Sequence, residues 1–426
     1  MRFASMIVCA AVVAVSASAQ DTHPFAVQDM LAMERISDPR VSPDARWISF
    51  TVRVTDVEAN KGRTDIWLVG IDGSNARRLT THAANDMNAR WLDTRTLAFL
   101  STRGGSSQVW TMPIDGGEPQ PLTTFALDVE NMDVFPGGKK LLLSFDVWPQ
   151  AKTLAESAEL DAKEAKRRTS AKVYESLMFR HWDSWEDHKR SHLFAWELGS
   201  AAPLDLMPGL DCDAPTKPFG GLEETSISPD GATVAFVMRN VGREDAWSTN
   251  SDVYVVPADG GAPPVSVTSD NAGYDVGPSY SPDGKTLAYL SMPRAGYEAD
   301  RQQIVLLDVA GGAKKRLAAD WDRSAGEITW SSDGATIFTS AANVGNSSIF
   351  AVDVAAGTVK TLVDKGNNVG VLSAGAVLVF QRDTLKAPVE LYAVSPEGGE
   401  VRALTKVNAA KLATTRMGDA PMGNKP

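Results

Sequence analysis

One short phrase recurs along this chain and restricts the architectures open to it. Ser42-Pro43-Asp44-Ala45 precedes Trp47-Ile48-Ser49-Phe50, and Ser228-Pro229-Asp230-Gly231 precedes Thr233-Val234-Ala235-Phe236. Ser281-Pro282-Asp283-Gly284 leads into Thr286-Leu287-Ala288-Tyr289, and Ser331-Ser332-Asp333-Gly334 into Thr336-Ile337-Phe338. Proline presets φ at the second turn position and glycine accepts the positive φ that closes the turn, so each phrase reads as a turn feeding an apolar strand. A second phrase follows at a distance. Asp65-Ile66-Trp67-Leu68-Val69 runs to Asp72-Gly73 and then Arg78-Leu79-Thr80; Gln108-Val109-Trp110-Thr111-Met112 runs to Asp115-Gly116-Gly117 and then Pro121-Leu122-Thr123. Asp252-Val253-Tyr254-Val255-Val256 repeats it, through Asp259-Gly260-Gly261 to Val267-Thr268. Asp-Gly pairs between β-branched and aromatic runs are hairpin turns.

The turn aspartates set the period. Asp44 and Asp93 stand 49 residues apart, Asp230 and Asp283 stand 53 apart, and Asp283 and Asp333 stand 50 apart. Repeats of roughly 40–50 residues with four short strands each are the mark of a β-propeller. One more copy fits around the turn Phe135-Pro136-Gly137-Gly138-Lys139, and a degenerate last copy starts near Val371 and closes at Ala403-Leu404-Thr405. The expectation is an all-β, seven-bladed propeller over residues 20–406, with six blades if the terminal copy merges with its neighbour.

Composition narrows the partners. With 42 Lys+Arg against 53 Asp+Glu the net charge is −11. Nucleic acid requires a basic face for counterion release, and no basic amphipathic stretch suits a membrane surface, so both drop out. Met1-Arg2, the apolar run Ile7 to Val15 and Ala17-Ser18-Ala19 read as a secretory signal peptide over 1–19, cleaved after Ala19. An exported chain, periplasmic or extracellular, is therefore expected. Cys9 falls within that leader, leaving Cys212 alone and without a disulfide partner.

One segment breaks the repeat. From Ala151 to about Ser176 the chain is rich in Ala, Glu, Lys and Leu, and Leu154, Ala158, Ala162 and Ala165 lie at helical spacing, so a helical insertion in blade three is expected within about 151–190. It runs into Phe179-Arg180-His181-Trp182-Asp183-Ser184-Trp185-Glu186-Asp187-His188, dense in aromatic and ionisable groups. Such a stretch is either a solvated rim or a functional loop on the binding face.

Phe25 to Pro43, with Val27, Met30, Arg35-Ile36-Ser37-Asp38-Pro39 and Ser42-Pro43-Asp44, resembles the start of secreted bacterial S9 serine peptidases, the prolyl oligopeptidase relatives that include dipeptidyl peptidase five and acylaminoacyl peptidases. Arg180-His181-Trp182-Asp183-Ser184-Trp185 followed by Arg190-Ser191-His192-Leu193-Phe194 is similar to the same subgroup, and the likeness runs from about residue 24 to 416. The insertion is its specific part. The resemblance implies a propeller standing over an α/β-hydrolase domain with a Ser-Asp-His triad. A nucleophile elbow needs Gly-x-Ser-x-Gly. Gly104-Gly105-Ser106-Ser107-Gln108 and Gly345-Asn346-Ser347-Ser348-Ile349 both lack the closing glycine, and no His-Gly-Gly segment is present. The stretch 407–426 reads as a tail or shortened interdomain linker. The expectation is a propeller portion without its catalytic half and inactive alone.

The resemblance further implies that propeller carboxylates anchor a peptide's α-ammonium group. Asp183, Glu186 and Asp187 suit that role, with Arg180, His181, Trp182 and Trp185 beside them as substrate-binding candidates; a solvated loop, or pairing with Arg180, Lys189 and Arg190, is the structural alternative. His188 and His192 have the i, i+4 spacing of a metal pair, but no Glu completes His-Glu-x-x-His, so no metal, cofactor or catalytic residue is assigned. Pro282-Asp283-Gly284-Lys285-Thr286 ends like a phosphate loop, but its spacing to Gly277 is wrong and it is a blade turn. Trp47, Trp67, Trp91, Trp110 and Trp330 are expected at equivalent strand positions as core packing. The partners expected are short peptides, with self-association through an uncovered face. Two rivals stand beside this reading: a non-enzymatic periplasmic binding propeller of the TolB kind, and an active peptidase whose reading frame is shortened near Met417.

Overall fold

The computed structural model describes residues 22–174 and 179–419. The expected leader and its cleavage point lie outside them, as do the residues from Ala420 onward. The described chain is strand upon strand: five four-stranded antiparallel meanders, the third interrupted between its second and third strands, one eight-stranded sheet and two two-stranded pairs. The first is Arg35–Val41, Trp47–Asp56, Lys61–Gly70 and Arg77–Arg78. The eight-stranded sheet runs from Thr329–Trp330 to Arg402–Ala403, and its two halves meet at one parallel register pair, Ser347 with Asn367. The fold is a β-propeller.

The repeated phrases have a local cause. In each turn the serine hydroxyl donates to the aspartate two residues on and accepts the backbone N–H that opens the next strand. Ser281 Oγ lies 2.7 Å from Asp283 Oδ1 and 3.0 Å from Thr286 N; Ser228 repeats this with Asp230 and Thr233, and Ser331 with Asp333 and Thr336. These serine hydroxyls hold the Asp230, Asp283 and Asp333 carboxyls below their ordinary range. The threonine closing the second phrase is equally local. Thr80, Thr123, Thr268 and Thr405 each accept a third-strand N–H, from Ile66, Val109, Val253 and Leu391.

Apolar side chains pack between neighbouring sheets. Phe50, Phe99, Phe236, Tyr289 and Phe380 occupy the same place in their second strands and are all buried. Four of them face Trp67, Trp110, Tyr254 and Tyr392 across the third strand. The tryptophans therefore correct the expectation of one shared position. Trp67 and Trp110 belong to third strands, Trp91 and Trp330 end first strands, and Trp47 opens a second strand. Trp91 and Trp330 alone of these are buried, each donating its indole N–H to the preceding sheet, to Arg40 O and Ser279 O.

The first and last sheets share one core: Ile36, Ile48, Phe50 and Val52 pack with Val379, Leu391, Ala393 and Leu404. Within 407–426, the stretch expected as a tail or linker, the residues as far as Arg416 join that seam. Asn408 exchanges two hydrogen bonds with the Glu34 backbone, Lys411 pairs with Glu34 at 3.0 Å, and Thr415–Arg416 pairs with His23–Pro24.

Between Val147 and Arg190 of the third sheet the chain makes a helix, Leu154–Ala165, shorter than the run expected from Ala151 to Ser176. Thr153 caps it by accepting Glu156 N–H, and Glu156 reaches back to Lys152 N–H. It docks through Ser157, whose hydroxyl accepts Trp148 N–H, and Asp161, which accepts the Trp148 indole N–H at 2.9 Å.

Candidate functional site

The first strands line the middle of the ring. A cavity of about 590 Å³ is bounded by Arg40, Thr225, Ser226, Val276 to Ser279, Thr329 and Gly370 to Leu372, from five different first strands. Four first strands carry a register shift, between Ser37 and Arg40, Met87 and Arg90, Val276 and Ser279, and Val369 and Leu372. Within each shift one residue has positive φ: Asp38, Asn88, Gly277 and Gly370. A bulge of this kind turns the next side chain out of the strand's alternation. It aims Arg40 and Arg90 toward Asp38, each at 2.8 Å, and brings Arg90 within 3.6 Å of Asp133. Burial, then the charge of Arg90, lowers the Arg40 guanidinium below its usual range.

Two loops meet at the cavity. The first is the hairpin of the insertion, in which Arg180–His181 pairs with Ser184–Trp185. Trp182 sits at its tip with φ of 50° and is 76 % exposed. The second is the loop leading into the fourth sheet, whose Phe219 is 66 % exposed. The Phe219 ring lies 5.3 Å from Trp182 and 5.6 Å from His181, and both His181 and Phe219 border the cavity. Large aromatic side chains left in water, one of them on left-handed backbone, carry a cost that packing elsewhere must offset.

The second loop is closed at its neck by Glu224. Thr216 N–H donates to Glu224 Oε2 at 2.7 Å, and Thr216 Oγ donates to Oε1 at 2.6 Å. Gly220 N–H turns back to Thr216 O at 2.7 Å. A Cβ on Gly220 would stand 2.5 Å from Thr216 O and 2.4 Å from Glu224 Oε2, so only glycine fits. Burial raises the Glu224 carboxyl to about 7, with Glu223 adding to it and the Thr216 bonds opposing.

The residues singled out from sequence divide between two places. His181 and Trp182 meet Phe219 at the cavity. Arg180 lies over the Trp185 ring, and Asp183 is exposed in the hairpin turn. Glu186 and Asp187 turn away, toward Trp148, Tyr174 and His188 beside the helix. Glu186 accepts from Arg190 at 3.0 Å, and burial raises its carboxyl despite that cation. Asp187 caps Lys189 N–H. The three carboxylates do not converge. The histidines separate too: His188 stacks on Trp148, while buried His192 lies between Asp205 and Leu210 O. Sequence reasoning missed Phe219, Glu224 and the bulge residues; the one available signal was Gly220-Gly221 next to Glu223-Glu224.

The model of the family described as the PD40 TolB beta propeller domain matches residues 29–176 and 220–414. The chain belongs to the PD40 family. Its unmatched interval, 177–219, contains His181-Trp182 and Phe219, together with the third-sheet strands Arg190–Glu197 and Leu204–Asp205.

This PD40 propeller is homologous to dipeptidyl-peptidase 5 of Porphyromonas gingivalis, with 30% identity over 415 residues, 96% of this chain and 60% of that enzyme. Dipeptidyl-peptidase 5 of Porphyromonas endodontalis is likewise 30% identical, over 92% of this chain and 56% of its own length. The chain thus spans 60% or less of these curated relatives. Among solved structures, acylaminoacyl peptidase of Pyrococcus horikoshii superposes with a TM-score of 0.64 at 14% identity, covering 89% of this chain and 54% of that one. The β-propeller domain of the Trilobed protease from Pyrococcus furiosus superposes at 0.58 and 14% identity, covering 88% of this chain and 96% of that domain. At these identities the structural likeness speaks for the fold.

Proposed function

We propose that this chain is the substrate-gating propeller of an S9-type serine exopeptidase that releases dipeptides or acylaminoacyl residues from short peptides. The observation that carries the reading is the homology to dipeptidyl-peptidase 5 over 96% of the chain, which extends through the insertion. On this reading the ring has seven blades, the eight-stranded sheet counting as two, and the helix with its hairpin is an insertion in the third. The cavity among the first strands and the two loops over it admit narrow, unfolded chains. Arg180, His181, Trp182, Asp183, Trp185, Glu186 and Asp187 belong to the peptide-contacting face, with His181 and Trp182 at the cavity. The chain is exported, and residues 1–19 are its leader.

We also propose that these 426 residues do not cleave peptides by themselves, because acyl transfer needs a nucleophile, a base and oxyanion donors together and the sequence holds no Gly-x-Ser-x-Gly. The test is incubation of the purified chain with dipeptidyl and acylaminoacyl chromogenic substrates and a serine-reactive probe, with calorimetric titration of unlabelled tri- and tetrapeptides alongside. Peptide binding without turnover or labelling is expected. Turnover with a labelled serine overturns the inactive-alone reading. Absence of peptide binding favours the second reading, a non-enzymatic periplasmic TolB-like binding propeller, in keeping with the description of the matched family.

A further inference from the structure

We infer that the loop from Thr216 to Glu224 is a lid on the central cavity, that Phe219 closes it against Trp182 and His181, and that the Glu224 carboxyl at its neck makes its opening depend on pH. The inference deepens the gating reading above by naming a regulator of the same cavity, and it rests on that reading for its biological meaning; its geometry is independent of any peptidase.

Three features make the segment a discrete moving part. The neck is one residue pair, Thr216 with Glu224, and both carboxylate oxygens are spent on it. The tip is one contact, Phe219 against the hairpin aromatics, with the Phe219 ring mostly in water. The base is pinned: Asp213 accepts Ser191 N–H, Ala214 N–H reaches Ser191 O, and Lys217 Nζ pairs with Asp146 at 2.8 Å on the third sheet. Motion is therefore confined to the residues between Lys217 and Thr225. The tip and its hairpin counterpart both lie in the interval 177–219 that the family model leaves unmatched.

The charge environment sets the direction. Glu223 stands beside Glu224 on the same turn and disfavours its ionisation. Tyr274 faces it from the fifth sheet, itself pushed up by burial and by Glu224. The cations around the cavity are committed elsewhere: Lys217 to Asp146 and Asp213, Arg239 to Asp245 and Ser248 O, and Arg40 to Asp38. Glu327 adds a further buried carboxyl, raised by its burial, and His181 lies across the opening. No cation among the described residues pairs with Glu224. Its protonated form keeps both contacts, accepting Thr216 N–H on one oxygen and donating its own proton to Thr216 Oγ. Its ionised form is an uncompensated buried charge that opening would return to water.

The sign follows from linkage. The carboxyl is held near 7 when the neck is closed and returns to about 4.5 when solvated. The open form therefore binds fewer protons, and the opening equilibrium rises about tenfold per pH unit from about 4.5 to about 7 and then levels off. The whole change is about 300-fold.

Amide hydrogen exchange of the intact chain, followed by mass spectrometry from pH 5 to 8 and corrected for intrinsic chemistry, reads this directly through the Thr216 and Gly220 N–H groups. Protection of the 216–224 segment should fall by about tenfold per unit up to pH 7 and then hold, while strands such as Thr233–Met238 show no such step. Glu224→Gln, neutral at every pH, should keep high protection throughout. Gly220→Ala should expose the segment at every pH, because its Cβ collides with backbone as well as with the carboxylate. A wild-type protection factor that does not change with pH, or a Glu224→Gln profile that follows the wild type, overturns the inference. No peptide or substrate is present, so failure of the peptidase reading leaves this result intact, and failure here leaves that reading to its own assay.

Discussion

Asn408 and Glu34, 374 residues apart in sequence, exchange two hydrogen bonds: Glu34 N–H donates to Asn408 Oδ1 at 2.8 Å, and Asn408 Nδ2 donates to Glu34 O at 2.9 Å. The Asn408 side chain is wholly buried and sits where the last sheet packs on the first. Replacing it by alanine strands a backbone donor and a backbone acceptor together. Asn408→Ala should destabilise the fold by about 2–3 kcal/mol in urea unfolding, and Asn408→Asp, which sets a buried carboxylate against the Glu34 carbonyl oxygen, by at least as much near neutrality.

The serine turns make a pH-dependent prediction. Ser281 donates to Asp283 and accepts Thr286 N–H, and it holds the Asp283 carboxyl below its ordinary range. A depressed carboxyl contributes stability above its unfolded value of 3.8, and that contribution fades as pH falls through the lower folded value. Ser281→Ala should cost about 1 kcal/mol near neutrality, and the gap between variant and wild-type melting temperatures should narrow below about pH 4.

Asp275 makes the opposite prediction. Its side chain is fully buried; Oδ1 accepts Asn271 Nδ2 at 3.0 Å while Oδ2 has no partner, and burial raises the carboxyl to about 6. A raised carboxyl favours the fold at low pH, and that advantage is lost as pH climbs from about 4 to about 6. Asp275→Asn should match the wild type near pH 4 and exceed its stability by about 2 kcal/mol at pH 8, as read by denaturant unfolding at both values. Equal stabilities at pH 8 would refute the assignment.

Trp182 combines exposure with left-handed backbone, at φ of 50°. Glycine adopts that conformation freely, so Trp182→Gly should leave stability unchanged or raise it by up to about 1 kcal/mol. The same substitution should weaken binding of short peptides several-fold in calorimetry. A variant that loses stability and keeps its affinity would make Trp182 a packing residue.

What could be read beforehand was what is local. A serine turn is contained within six residues, and Ser228 to Thr233 shows every atom it needs inside that span, so repetition in sequence became repetition in space. The helix was legible because Ala-, Glu- and Lys-rich sequence has a helical preference, though it ends at Ala165, where the following Lys166-Arg167-Arg168 adds like charges and no apolar face continues. The tryptophans misled because one residue type serves three strand positions. The carboxylate cluster misled because adjacency along the chain carries no information on direction: Glu186 and Asp187 lie within five residues of Trp182 and face the helix. Phe219 and Glu224 were illegible for the opposite reason. Their partners, Trp182 and Thr216, are joined to them only by folding, and the stretch around them has no period to betray it.

The seam at Glu34 and Asn408 has a mechanical consequence. Successive sheets elsewhere are tied by the polypeptide itself, but the first and last are fastened by side chains, the Arg402 bond to Ile71 O and one short parallel strand pair. A ring with a single unriveted joint behaves as a split washer. Under tension, or when a bulky guest pries at the bore, such a ring is expected to part at that joint before any sheet unravels.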